Sequence, residues 1–246
     1  MKRNSNKWIL PVLALGLLTL CFSCKKEEET GPVPPAAEGT VKDIEGNEYH
    51  YITIGSQVWM MEDLKVTKYR NGEAVVNVAD SAGWVTRTEG AYCSYNSANA
   101  NIYNSDDVRA AGKAAQYGLL YNWHAVNDTR GLAPQGWHIP TSVEYDTLCN
   151  RLGGANYAGE RLKEWGAKNW FSPNIATNES GFSALPGGVR YGGISKFAGA
   201  QSYYWEAAQA TAANGWSRNL YYDNVKVLRL SIVKTSGASI RCIKDK

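Results

Sequence analysis

Thiols, imidazoles and carboxylates are sparse enough in this chain that each can be weighed for chemistry. The cysteines are Cys21, Cys24, Cys93, Cys149 and Cys242, and the histidines are His50, His124 and His138. A thiolate becomes a nucleophile or a metal ligand where its surroundings lower its pKa. Beyond the first 24 residues the sequence contains no Cys-x-x-Cys, and it has no His-x-x-x-His, Gly-rich phosphate loop or nucleophile elbow. His138, in "GWHIP", reads as a core or supporting residue on a strand entering a helix. His124, after Trp123, reads as packing, and His50 lies in an opening hairpin. Asp106-Asp107, in "NANIYNSDDVRAAG", offer hard oxygens for Ca2+ but lack the spacing of a calcium loop, so a solvated turn is expected. Glu179 in "TNESGF" and Glu206 in "YYWEAA" are too isolated to define an acid/base pair. The expectation is no catalytic residue, no metal and no cofactor.

The elements that must position these groups begin with the leader. Lys2, Arg3 and Lys7 precede an apolar run from Trp8 to Leu20, broken only by Pro11, Gly16 and Thr19, which is the layout of a secretory signal. The run falls short of the roughly 20 residues of a membrane span. Small Ser23 before Cys24 resembles the cleavage site of a bacterial lipoprotein signal, whereas Leu20 before Cys21 does not. Residues 1–23 are therefore expected to be removed, Cys21 with them, leaving Cys24 acylated at the new N-terminus. The alternative is an ordinary cleaved secretory signal without lipid. Two or more acyl chains, at about 0.8 kcal/mol per buried CH2, anchor a protein to a bilayer without spanning it.

"KKEEE" after Cys24 resembles the signal that sends lipoproteins of Bacteroidetes-type bacteria to the outer face of the outer membrane. Residues 24–40, with Gly31, Pro32, Pro34, Pro35 and Gly39, read as a flexible tether reaching on the order of 50 Å when stretched. Removing residues 1–23 takes away three bases and no acids, so 26 Lys+Arg against 23 Asp+Glu becomes an even balance. That balance gives no support to nucleic-acid binding.

Residues 41–246 read as one domain, since no Pro/Gly/Ser linker or charge block divides them and a hydrophobic fraction of 44% is ample for a core. "TVKDIEGNEYHYITIG" alternates on both sides of Glu45-Gly46-Asn47, predicting a hairpin, and a short strand and an irregular stretch follow. In "PTSVEYDTLCNRLGG", Thr141 and Glu144 have capping-box spacing. Tyr145, Leu148, Cys149 and Leu152 then form one helical face, which Gly153-Gly154 ends. The last segments turn to β structure, and in "ASIRCIKD" Ile240 and Cys242 share a strand face. Both Cys149 and Cys242 thus point inward. In an oxidising compartment a Cys149–Cys242 disulfide is the preferred pairing, contributing roughly 4–5 kcal/mol, with pairings through Cys93 left open.

The segments "IGSQVWMMEDLKVTKYRNGEAV", "GAYCSYN", "YGLLYNWHAVN", "GWHIPTSVEYDTL", "LKEWGAKNWFSPNIATNESGFSALPGGVR", "YYWEAA" and "SIRCIKD" together resemble the Fibrobacter succinogenes major paralogous domain, over essentially residues 41–246. The resemblance implies an α+β, C-type-lectin-like single domain, related to the formylglycine-generating enzymes, with short strands, one or two helices and long loops. It also implies a helix-to-last-strand disulfide, although Ala133 stands where the family commonly has cysteine. The Glu-Pro-Asn and Trp-Asn-Asp motifs of calcium-dependent sugar binding are missing, as are the paired cysteines of the formylglycine-generating enzymes.

By the same resemblance, "YYWEAAQATAANGWSRNLYYDN" corresponds to the ligand-facing side of lectin-like domains. Tyr203, Tyr204, Trp205, Trp216, Arg218, Asn219, Tyr221, Tyr222 and Asn224 there could stack on and hydrogen-bond to sugar rings. The competing reading has these side chains alternating between core and solvent. The functional expectation is a lipid-anchored, non-enzymatic surface module binding a polysaccharide or a surface protein. Second comes a structural or adhesive protein assembling with outer-membrane partners, and third an enzyme relying on His138 or Glu206.

Overall fold

The alternation around Glu45-Gly46-Asn47 forms the hairpin it predicts, with β1 (Gly39–Lys42) antiparallel to β2 (Glu48–Ile54). The Asp43 carboxylate holds the turn by accepting from the backbone N–H groups of Glu45 and Asn47. The computed structural model describes Met1 and residues 31–95 and 116–246. The leader, Cys21, Cys24 and Asp106-Asp107 lie outside the described residues. The hairpin reaches into the segment expected to be tether: Glu38 N–H donates to the Tyr51 carbonyl, and the Glu38 carboxylate accepts from the Thr53 N–H and hydroxyl. Residues 31–246 form one compact unit.

From β2 the chain returns as β3 (Gln57–Met60), then passes through β4 (Val76–Asn77), α1 (Ser81–Val85), β5 (Ala91–Cys93), β6 (Leu120–Tyr121), α2 (Trp123–Val126) and β7 (Trp137–His138). The main helix, α3 (Ser142–Arg151), starts at a complete capping box in which the Thr141 hydroxyl accepts from the Glu144 N–H and the Glu144 carboxylate accepts from the Thr141 N–H. Tyr145, Leu148 and Cys149 are buried along its predicted face, and Gly153 and Gly154, at φ 89° and 91°, take the left-handed conformation that stops it. After α4 (Ala158–Leu162) come β8 (Val189–Tyr191), β9 (Ile194–Lys196), β10 (Gln201–Gln209), β11 (Asn214–Tyr221), β12 (Leu228–Val233) and β13 (Ile243–Lys244).

Among the described residues the strands form sheets ordered β1-β2-β3-β13-β7, β10-β11-β12, β4-β5-β6 and β8-β9. The architecture is mostly β with a few short helices, an α+β composition. No described helix is long and apolar enough to cross a membrane.

The final segment lies between two apolar clusters. Ile240 and Cys242 face one, with Ala133, Trp137, Trp205 and Tyr121, while Ile243 faces the other, with Trp59, Leu148, Cys149 and Trp170. This corrects the expected disulfide. Cys93, Cys149 and Cys242 are all free and buried. Both Cys149 and Cys242 do point inward, but alternation along the final segment sends Cys242 into the cluster opposite the one beneath α3. Desolvation raises all three thiols above their ordinary pKa, to about 11 for Cys149.

Several charges are buried with their partners. Asp63 accepts from Arg241 Nη2 at 2.5 Å inside the core, and Arg241 also donates to the Phe182 carbonyl. Arg190 donates to the carbonyls of Val78, Ala79, Asp80 and Gly193 while lying 4.6 Å over the Trp84 ring. Lys163 donates to the carbonyls of Tyr221, Tyr222 and Asn224 at 2.7–3.1 Å. Burial lowers its ammonium to about 8.

Candidate functional site

The stretch expected to face a ligand forms β10, β11 and the turn beyond. Antiparallel register places Tyr204 opposite Arg218 and Trp205 opposite Ser217, then Arg218 opposite Arg229 and Trp216 opposite Ser231. One sheet face carries Tyr203, Trp205, Ser217 and Asn219. It packs into the core, where Trp205 Nε1 donates to the Tyr121 carbonyl at 2.7 Å and the Ser217 hydroxyl to Asn219 Oδ1 at 3.0 Å. The other face carries Tyr204, Trp216, Arg218 and Arg229, and Tyr204 and Leu220 on it lie in the cluster beneath α3. Tyr203, Tyr204, Trp205, Arg218 and Asn219 are therefore buried, and Trp216, Tyr221, Tyr222 and Asn224 are half-buried. This is the alternation between core and solvent that competed with a ligand-facing platform, with most of these side chains on the core side. Period two showed which residues share a face, and the placement of α3 removed most of one face from water.

What the sheet builds instead is a charged hub. Glu206 sits in the irregular part of β10, where the register shifts between Trp205 and Gln209. Such a bulge re-aims a side chain. Its carboxylate is fully buried and accepts from Arg218 Nε at 2.6 Å, from Arg229 Nε and Nη2 at 3.0 Å each, and from the Ser142 hydroxyl. Ser142 and Asp146, one turn apart on α3, face the same group, and Asp146 accepts from Arg218 Nη2 at 2.7 Å. Like charges directly across a strand pair repel, and Glu206 between Arg218 and Arg229 offsets that repulsion. The Arg229 guanidinium lies 4.0 Å over the Trp216 ring, covering one face that a sugar could have used.

The other reactive candidates are committed in similar ways. His138 shares its ring nitrogens with Asp245 at 2.6 Å and Glu144 at 2.9 Å, joining β7, the cap of α3 and the segment after β13. Burial opposes its protonation, but the two carboxylates prevail and hold it above the ordinary histidine value. His50 pairs with Glu62 at 2.7 Å, and Glu179 with Arg161 at 3.1 Å. Half-buried His124 lines an open cleft rather than packing in the core, and burial together with Lys234 lowers its pKa. Among the described residues no group of three or more His, Cys, Asp or Glu is placed to hold a metal ion.

Sequence reading missed the partnership of Glu206 with Arg218 and Arg229. The available signal was the placement of Arg218 and Arg229 in adjacent period-two strands, with a lone acid in the strand before them.

The family model described as the Fibrobacter succinogenes major domain matches residues 52–244. A search of curated proteins found no match.

Proposed function

The chain belongs to the Fibrobacter succinogenes major domain family, and on that premise we propose that it is a cell-surface lipoprotein whose folded part binds saccharide without catalysis. Acylation at Cys24 after removal of residues 1–23 fixes it to the outer membrane, with "KKEEE" directing it outward. Its fold is lectin-like, a reading supported by the order of capped helix and closing strand along the chain. One observation supports the non-catalytic part of this reading. Glu206, a carboxylate weighed above for catalysis, is buried and committed to Arg218, Arg229 and Ser142. An acid or base in catalysis must reach the proton it moves. Here that carboxylate holds together a sheet and a helix.

Full-length protein in detergent, tested against a glycan array and then by calorimetry with and without calcium, is expected to bind saccharide without turning it over. Silence across the array, or turnover abolished by Glu206→Gln in a still-folded protein, overturns the reading. The second reading, adhesion to an outer-membrane protein, draws on β12, an edge strand exposing Arg229, Ser231 and Val233 in alternation. Open edges invite another strand. Stable recovery of such a partner without any saccharide dependence favours it.

A further inference from the structure

We propose that the saccharide is held in the polar cleft between Thr88–Gly90 and the residues following α2, on the side chains of Thr88, His124, Asn127 and Thr129, and that its bound unit is uncharged. The inference rests on the saccharide reading above and gives it a place that the aromatic stretch does not. The cleft measures about 470 Å3, within the range of small-ligand sites. Trp123 lines it while only 4% exposed. Its indole N–H edge lies against Gly215 on β11, so the ring gives the cleft an apolar wall and leaves the polar contacts to the side chains around it.

The walls are joined at their base. Asn122 Nδ2 donates to the Glu89 carbonyl at 2.8 Å, and Asn122 Oδ1 accepts from the N–H groups of Ala91 and Ala125 at 3.0 Å each. Gly90 packs so closely on the Tyr69 hydroxyl and on Ala125 that no side chain fits there. Binding at such a site requires little ordering of the protein.

The chemistry of the lining selects the ligand. Among the described residues the side chains of Thr88, His124, Asn127 and Thr129 make no hydrogen bond within the protein, so they present both donors and acceptors. The charges at the rim are paired. Asp128 accepts from Arg130 Nε and Nη2 at 2.9 and 2.7 Å, Arg130 reaches Glu73 at 2.6 Å, and Glu89 pairs with Arg87 at 3.2 Å. Arg130 also lies 3.9 Å over the Tyr69 ring, which fixes its place. The guanidinium holds the Asp128 carboxyl down to about 2, so it remains an acceptor at neutral pH, and lowered His124 is neutral there with one donor and one acceptor. Lys234, 4.3 Å over the Trp123 ring, is the third cation beside Arg87 and Arg130 against the three carboxylates of Glu73, Glu89 and Asp128, so the cleft offers little excess charge to an anion or a cation. Hydroxyl groups, each donating and accepting, match what is left unpaired.

The test uses full-length protein with an array of neutral and uronic-acid oligosaccharides, inorganic phosphate as an anionic probe, and the variants Asn127→Ala, Thr129→Ala and Trp216→Ala. Calorimetry gives affinity, and circular dichroism verifies folding. The expected result is that wild type binds a neutral oligosaccharide, each cleft variant weakens it tenfold or more, and Trp216→Ala leaves it unchanged. If wild type binds and the cleft variants bind equally well, the placement is wrong while the saccharide reading stands. Binding confined to uronic acids or phosphate overturns the uncharged assignment. If no saccharide binds wild type at all, the reading and the placement fail together.

Discussion

Under the three-stranded sheet, Glu206 accepts from Arg218, Arg229 and Ser142 with no surface left to solvent. In the cleft beside α2, Thr88, Asn127 and Thr129 are exposed and leave their side chains unpaired among the described residues. Both regions are rich in polar groups. In the first, the guanidinium and carboxylate groups satisfy one another and join α3 to β10, β11 and β12. In the second, the Asn122 amide bonded to the backbone of Glu89, Ala91 and Ala125 joins the walls, and the lining side chains remain available. Composition alone would rank the aromatic and arginine-rich sheet above the cleft as a binding surface. Hydrogen-bond accounting reverses that order, because a group already satisfied in the fold gains little from a ligand.

The contrast can be broken most forcefully at Glu206. Glu206→Ala leaves Arg218 and Arg229 facing each other without their shared anion, and removing one partner of a buried ion pair costs about 3–5 kcal/mol. Urea denaturation should show a loss of that size, and a loss below about 1 kcal/mol would mean that water already reaches the hub. The cleft should behave oppositely. Asn127→Ala is expected to change stability by no more than about 0.5 kcal/mol, because among the described residues its side chain is exposed and makes no hydrogen bond. A larger loss in the same denaturation experiment would make the cleft structural.

The smallest effect concerns His138, which lies between the two regimes, partly exposed yet bonded to Glu144 and Asp245. Its folded pKa is raised, so its contribution to stability is complete below the ordinary value of 6.5 and is lost as pH rises through the folded value. Midpoints measured from pH 5.5 to 8.5 should decline across that interval in wild type and flatten in His138→Gln. An equal decline in both would assign the slope to another group.

Local signals made part of this molecule legible in advance. The Thr141–Glu144 capping box, the Tyr145–Leu148–Cys149 face and the Gly153-Gly154 stop specify α3 from neighbours within one or two turns, and Asp43 with Gly46 specifies the first turn. Alternation likewise placed Ile240 and Cys242 on one face. It could not say which side of the final segment lay beneath α3, so the cysteines fell into different clusters. The same gap hid the fate of Tyr204 and Arg218. Lys163 and Arg190 were illegible for another reason: their partners are backbone carbonyls that converge only once distant loops are in place. The cleft had a faint trace, since Asn122 heads α2 as its cap, but nothing local joined it to Glu89.

The position of β13 has a kinetic consequence. It enters between β3 and β7, and beside it Arg241 meets Asp63 across 178 residues of sequence. The largest sheet therefore waits on a strand made long after its first three, and such remote pairing slows closure. Until then the early hairpins lack a permanent neighbour, and the chain remains pliable until its last strand arrives.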